Sequence, residues 1–153
     1  MKFISKLFVT LFGIGFIPFA PGTIASIFTV LVWYYFIKFF PIYIFVIVVI
    51  SFIVISFLLI NIYIEDHKSN DPKEVVIDEF IGQSLPLMFL NQNSDLYLIL
   101  FTFVLFRIFD IFKIYPINVV VEKFRSSLGV IADDIVAGIY VIIFVMLYQI
   151  ISP

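Results

Sequence analysis

Residues 42–64 read IYIFVIVVISFIVISFLLINIYI, an apolar run without one charged side chain. The hydrocarbon core of a bilayer is ~30 Å thick and a helix rises ~1.5 Å per residue, so about 20 such residues are needed to cross it. The run predicts a spanning helix over Ile42–Ile64. Three further stretches of similar character, Ile24–Phe40, Leu96–Phe112 and Gly129–Ile151, predict spans of their own. Val75–Leu90 is weaker, because it is short, carries Asp78, Glu79 and Gln83, and contains Pro86; it could span a thinned region or dip in and return, and the basic-residue count favours a crossing. The expected fold class is therefore all-α: a polytopic membrane helical bundle of about five membrane segments.

The remaining sequence is consistent with this reading. Of the 153 residues, 63% are hydrophobic and only 13% are charged, about half the charged fraction that covers a soluble domain. Five spans at ~20 residues each use about 100 residues, so 1–153 is expected to form a single integral membrane domain. Met1–Phe16, with Lys2 and Lys6 ahead of an apolar run, predicts an amphipathic interfacial helix. The run continues into Pro21-Gly22-Thr23 without a small-x-small cleavage site, which argues against a signal peptide. A net charge of −2 and the lack of a basic stripe exclude nucleic acid as a partner. Without cysteine there is no thiolate nucleophile and no Cys-based metal site.

Alternating five segments across the bilayer places Lys2, Lys6, Lys68, Lys73, Arg107, Lys113, Lys123 and Arg125 at one side and Lys38 alone at the other. By the positive-inside rule the basic side is cytoplasmic. Glu65, Asp66, Asp71, Glu74, Asp78, Glu79, Asp110, Glu122, Asp133 and Asp134 gather at the same side, with Asp95 opposite. Acidic residues do little to orient a chain, so their clustering points to a site at that membrane face.

Asp78-Glu79 and Asp133-Asp134 each open a helix, where acids also complement the macrodipole, and Asp110 closes another, where an i, i+3 pair with Arg107 would neutralise both groups. Five carboxylates at three helix ends repel one another unless a cation joins them. Oxygen-only ligands with a lone His favour a hard ion, Mg²⁺ in particular. Arg107, Asp110 and Lys113 fall inside a ~120° arc at ~100° per residue, presenting cation, carboxylate, cation; the two cations suit a phosphate ester. Gly82 and Gly138, four residues after Asp78 and Asp134, leave gaps for a close helix approach. Thr23 can cap the first span and Ser26 lies in its first turn, a candidate anion site. His67 reads as a loop residue, and Trp33, Tyr34 and Tyr35 as bilayer packing and interfacial anchors. Cysteine, paired-histidine and Asp-x-Asp phosphatase chemistries lack their residues here. A carboxylate-held metal that activates water is the simple route to phosphoester hydrolysis that remains.

Four strings, PGTIAS at Pro21 to Ser26, DPKEVVIDEFIGQ at Asp71 to Gln83, FRIFDIFKIYPI at Phe106 to Ile117 and LGVIADDIVAG at Leu128 to Gly138, together resemble the phosphatidylglycerophosphatase A family of membrane lipid phosphatases. The resemblance covers most of the polar parts of the chain, in order and spacing. It implies a Mg²⁺-dependent enzyme that hydrolyses phosphatidylglycerophosphate to phosphatidylglycerol and phosphate, in phospholipid biosynthesis at the cytoplasmic face of the bacterial inner membrane. By motif it implies Asp78, Glu79, Asp110, Asp133 and Asp134 as catalytic and metal-binding residues. It implies Thr23, Arg107 and Lys113 as accompanying polar groups, and these with Ser26 are the candidate phosphate-binding residues. Ala25, Ile114 and Ser126-Ser127 depart from the family pattern without touching an acidic residue. The rival reading is a small cation transporter or channel with an intramembrane carboxylate cluster; it predicts acids near the midplane and on both sides. A nucleotide-dependent phosphotransferase would need an extended Asp-Gly…Ala-Arg…Gly…Asp…Asp pattern, which does not occur.

Overall fold

The computed structural model describes residues 2–67, 72–90, 93–115, 117 and 127–151. Lys68, Asp71, Glu122, Lys123 and Arg125, which enter the charge distribution above, lie outside them, as do the side chains of Asp66 and His67. The described residues form six α-helices and no strand: α1 Lys2–Val9, α2 Pro21–Phe39, α3 Ile42–His67, α4 Ile77–Leu87, α5 Leu96–Phe112 and α6 Ser127–Ile151. Three of these are long and apolar enough to cross a membrane, at Pro21–Phe39, Ile42–Glu65 and Gly129–Ile151. Their outward faces are apolar. On α3, Ile47, Ile50, Val54 and Leu58 form an exposed stripe at helical spacing, as expected of a surface solvated by acyl chains.

The expected interfacial helix over Met1–Phe16 ends at Val9. Thr10 donates its hydroxyl back to the Lys6 carbonyl (2.8 Å), and Leu11, Phe12 and Gly13 all adopt positive φ, which no helix continues through. A short 3-10 turn, Ile14–Phe16, follows. The reversal docks this segment on the approach to α4: the Val76 amide donates to the Val9 carbonyl (3.0 Å), and Gly15 abuts the Glu74 backbone so closely that any side chain there would overlap it. Helix α1 itself exposes Phe3, Ile4 and Leu7 and buries Ser5 and Val9.

Helix α2 starts at Pro21, three residues before the predicted Ile24, because proline is pre-organised for the first helical position. Ala20, in the left-handed region (φ 44°), is its N-cap and offers no side-chain bond, so Thr23 does not cap the helix but sits within its first turn. The buried face of α2 runs Gly22, Ala25, Ser26, Thr29, Trp33, Ile37. Ser26 and Thr29 satisfy their hydroxyls on the carbonyls of Gly22 and Ala25. Trp33 is no interfacial anchor: it is fully buried among Ile37, Phe45 and Val49. Tyr34 and Tyr35 are exposed, with the Lys38 ammonium 4.0 and 5.5 Å from their ring centroids.

Helix α4 is the innermost element, with Ile77, Phe80, Ile81, Gly82, Gln83, Ser84, Pro86 and Leu87 all buried. Its 11 residues span only ~16 Å, so it does not cross a ~30 Å core by itself. It packs chiefly on α6 and α2. The α4–α6 crossing is set by Gly82 and Gly138, where a methyl group on Gly138 would come within 2.6 Å of the Gly82 carbonyl oxygen. One apolar cluster, including Val9, Ala25, Ile60, Val76, Ile77, Ile81 and Ile131, surrounds the start of α4; the other, including Trp33, Phe45, Leu87, Leu98 and Val141, surrounds its far end.

Candidate active site

The acidic residues converge where α4 and α6 begin and α5 ends. Asp78 and Glu79 occupy the first turn of α4, and Asp134 lies near the start of α6. These three carboxylates each present an oxygen within 4.8 Å of the other two. Glycine at two positions makes the convergence possible. A side chain at Gly22 would collide with the Glu79 carboxylate, and one at Gly82 would meet the Asp134 carbonyl oxygen and the Phe106 ring, both at 2.7 Å. The sequence reading singled out Gly82 and Gly138 but not Gly22, since nothing in local spacing reveals that α2 meets α4 there.

The other two acids are engaged by cations. Arg107 Nη1 lies 2.6 Å from Asp110 Oδ2, the i, i+3 pair expected from spacing. Lys113 Nζ lies 2.5 Å from Asp133 Oδ2, a contact between residues 20 apart that the sequence does not disclose. Lys113 is the C-cap of α5 in the left-handed conformation (φ 43°), and this turn aims its side chain at α6. Burial opposes the Lys113 charge, but the hydrogen bond and the fields of Asp133, Asp134 and Asp110 outweigh it and raise its pKa above the ordinary lysine value. Arg107 Nη1 also donates to Ser26 Oγ (3.4 Å), which in turn donates to the Gly22 carbonyl. Thr23 is half-buried beside Gly22 in the same turn of α2.

The residues present fit a hard cation. Asp78 Oδ1, Glu79 Oε2, Asp133 Oδ1 and Asp134 Oδ2 are buried carboxylate oxygens without a hydrogen-bond partner. Unmet acceptors of this kind are costly in a low-dielectric interior, and a divalent ion with oxygen preference satisfies several at once. The trio Asp78, Glu79 and Asp134 is the compact group that could hold it, drawn from two helices. Asp110 and Asp133 border it, each tethering a cation that can face a phosphate.

The chain is similar to known phosphatases along most of its length. The model of the family described as Phosphatidylglycerophosphatase A matches residues 7–149. A Bacteroides thetaiotaomicron protein named "Putative phosphatidylinositol-3-phosphatase" is 35% identical, over 91% of this chain and 89% of the relative. Phosphatidylglycerophosphatase A of Escherichia coli K12 is 36% identical over 84% of this chain and 73% of its own length, and that of Haemophilus influenzae 33% identical over 90% and 84%. No solved structure matches the chain. A match from residue 7 to residue 149 takes in all the acidic and basic groups of the site, and the chain belongs to the phosphatidylglycerophosphatase A family of phosphoric monoester hydrolases.

Proposed function

We propose that this protein removes the terminal phosphate of phosphatidylglycerophosphate, yielding phosphatidylglycerol, with Mg²⁺ held by Asp78, Glu79 and Asp134, at the cytoplasmic face of a bacterial inner membrane. The observation that carries the reading is the trio of carboxylates within 4.8 Å of one another, flanked by Arg107 and Lys113. Cations at the rim would obstruct a cation pathway but attract a phosphate, which disfavours the transporter reading. When bound, Mg²⁺ supplies Lewis acidity at the phosphoryl oxygens and makes a water more acidic. Arg107 presents a planar fork and Lys113 a point charge to the equatorial oxygens of the phosphoryl group, where negative charge develops during transfer. As they turn toward substrate, Asp110 and Asp133 give up ion pairs and become free to accept a proton from the attacking water.

The test is phosphate release by purified protein in mixed micelles of phosphatidylglycerophosphate, with Mg²⁺ and after exhaustive chelation. Turnover that disappears on chelation and returns with Mg²⁺ supports the reading, and undiminished turnover without the metal overturns the metal assignment. The Bacteroides relative favours a second substrate, phosphatidylinositol 3-phosphate, so the same assay includes that lipid. A higher kcat/KM on the inositol lipid would move the assignment to it while leaving the chemistry unchanged.

A further inference from the structure

Gln83 lies on α4 four residues after Glu79, so the two side chains share a helix face about 6 Å apart along the axis. It is completely buried, and neither its amide nitrogen nor its amide oxygen has a hydrogen-bond partner. Glu79 faces Gly22 on α2; one turn beyond Gly22 is Ser26, also fully buried and reached by Arg107, whose Nε is likewise without a partner. The chemistry above makes no use of Gln83. Packing does not call for it either, since Met or Leu fills a similar volume without two unmet polar atoms. A donor and an acceptor left open side by side on one planar amide fit a ligand that offers the complementary pair.

We infer that Gln83 is a specificity residue that recognises a phosphate monoester bearing a free hydroxyl on the adjacent carbon. The hydroxyl donates to Oε1 while the neighbouring phosphate ester oxygen accepts from Nε2. This rests on the lipid-phosphatase reading above. The phosphatidylglycerophosphate headgroup has that vicinal arrangement, with its terminal phosphate next to a free hydroxyl and its acyl chains beyond. With the phosphate at the acids and the acyl chains in the bilayer, the hydroxyl falls on the interior side of the acids. That is the direction in which α4 carries the chain from Glu79 to Gln83. A monoester without the vicinal hydroxyl leaves the amide unpaired and is rejected.

The test compares kcat/KM on phosphatidylglycerophosphate and on its analogue lacking the headgroup hydroxyl, for the wild type, Gln83→Met and Gln83→Asn. The wild type should prefer the hydroxylated lipid by at least about tenfold. In Gln83→Met the two values should converge through loss on the hydroxylated lipid. Gln83→Asn withdraws the same amide by one methylene and should show the same convergence with less change in packing, and thermal melting in detergent reports whether each variant is folded. Equal losses on both lipids, or a wild type that does not discriminate, overturns the role of Gln83 alone. A wild type inert on both lipids and on phosphatidylinositol 3-phosphate overturns the phosphatase reading and this inference with it.

Discussion

Asp133 and Asp134 are neighbours in sequence, yet ~100° of helix rotation gives them different partners: Asp133 meets Lys113, and Asp134 meets Asp78 and Glu79. Asp134→Asn should therefore weaken Mn²⁺ binding, followed by electron paramagnetic resonance, far more than Asp133→Asn. Equal weakening would place both acids on the ion. The Arg107–Asp110 pair allows a sharper separation of charge balance from chemistry. If the pair only neutralises itself, Asp110→Asn with Arg107→Gln should recover most of what either single change loses. We expect no recovery, and a loss of orders of magnitude in kcat for each single variant in folded protein, because each group acts separately on the transition state. Near-normal phosphate release by the double variant would return the pair to a structural role. Lys113 makes a pH statement with a definite sign. Its pKa is raised in the fold, so its stabilisation is complete below the ordinary lysine value and is lost as pH rises through the raised one. Thermal melts in detergent should show an alkaline loss in the wild type that Lys113→Met lacks.

At the scale of the elements, the site depends on how closely α4 approaches α2 and α6. Gly138→Ala places a methyl group 2.6 Å from the backbone oxygen of Gly82, and backbone cannot rotate aside as a side chain can. The helices must separate, at a cost of about 1–3 kcal/mol, measurable as a lower unfolding midpoint. Gly22→Ala differs in kind, because its methyl group meets the end of the Glu79 side chain. Glu79 can swing away, so this variant should melt close to the wild type while needing severalfold more Mg²⁺ for half-maximal rate. A normal Mg²⁺ requirement in folded Gly22→Ala would show that Glu79 does not hold the ion. The link from the N-terminal turn to α4, through Val9 and Val76 and through Gly15 and Glu74, fixes where the acid-bearing turn begins. Tyr63 on α3 adds a hydrogen bond to Glu74 (3.1 Å).

For the whole molecule, the charged site lies at one end of a bundle whose sides are apolar, so orientation decides which compartment supplies the substrate. Lys73, just before α4, and Asp95, just before α5, are both exposed. With the whole of Val75–Leu90 counted as one crossing, the expectation from the basic-residue count is Lys73 in the cytoplasm and Asp95 outside. In intact cells an impermeant thiol reagent should label Asp95→Cys and leave Lys73→Cys untouched until the membrane is opened. The reverse pattern would invert the protein and move its active site to the other face.

The membrane class, the span that begins at Ile42 and the bounds of the helix at Leu96–Phe112 were legible in the sequence, because hydrophobic length and local charge spacing act over one helix at a time. The Arg107–Asp110 pair was legible for the same reason, its partners being three residues apart. Other features arise only when helices meet. Lys113 reaches Asp133 through a left-handed residue and a crossing between helices, and Gly22 matters only because Glu79 arrives from another element. Trp33 reads as an interfacial anchor until its neighbours enclose it. Of five acids that look alike in sequence, packing brings Asp78, Glu79 and Asp134 together and assigns Asp110 and Asp133 to cations. Which carboxylates share a space is set by crossing distance and helix rotation, and neither is encoded within any single stretch of the chain.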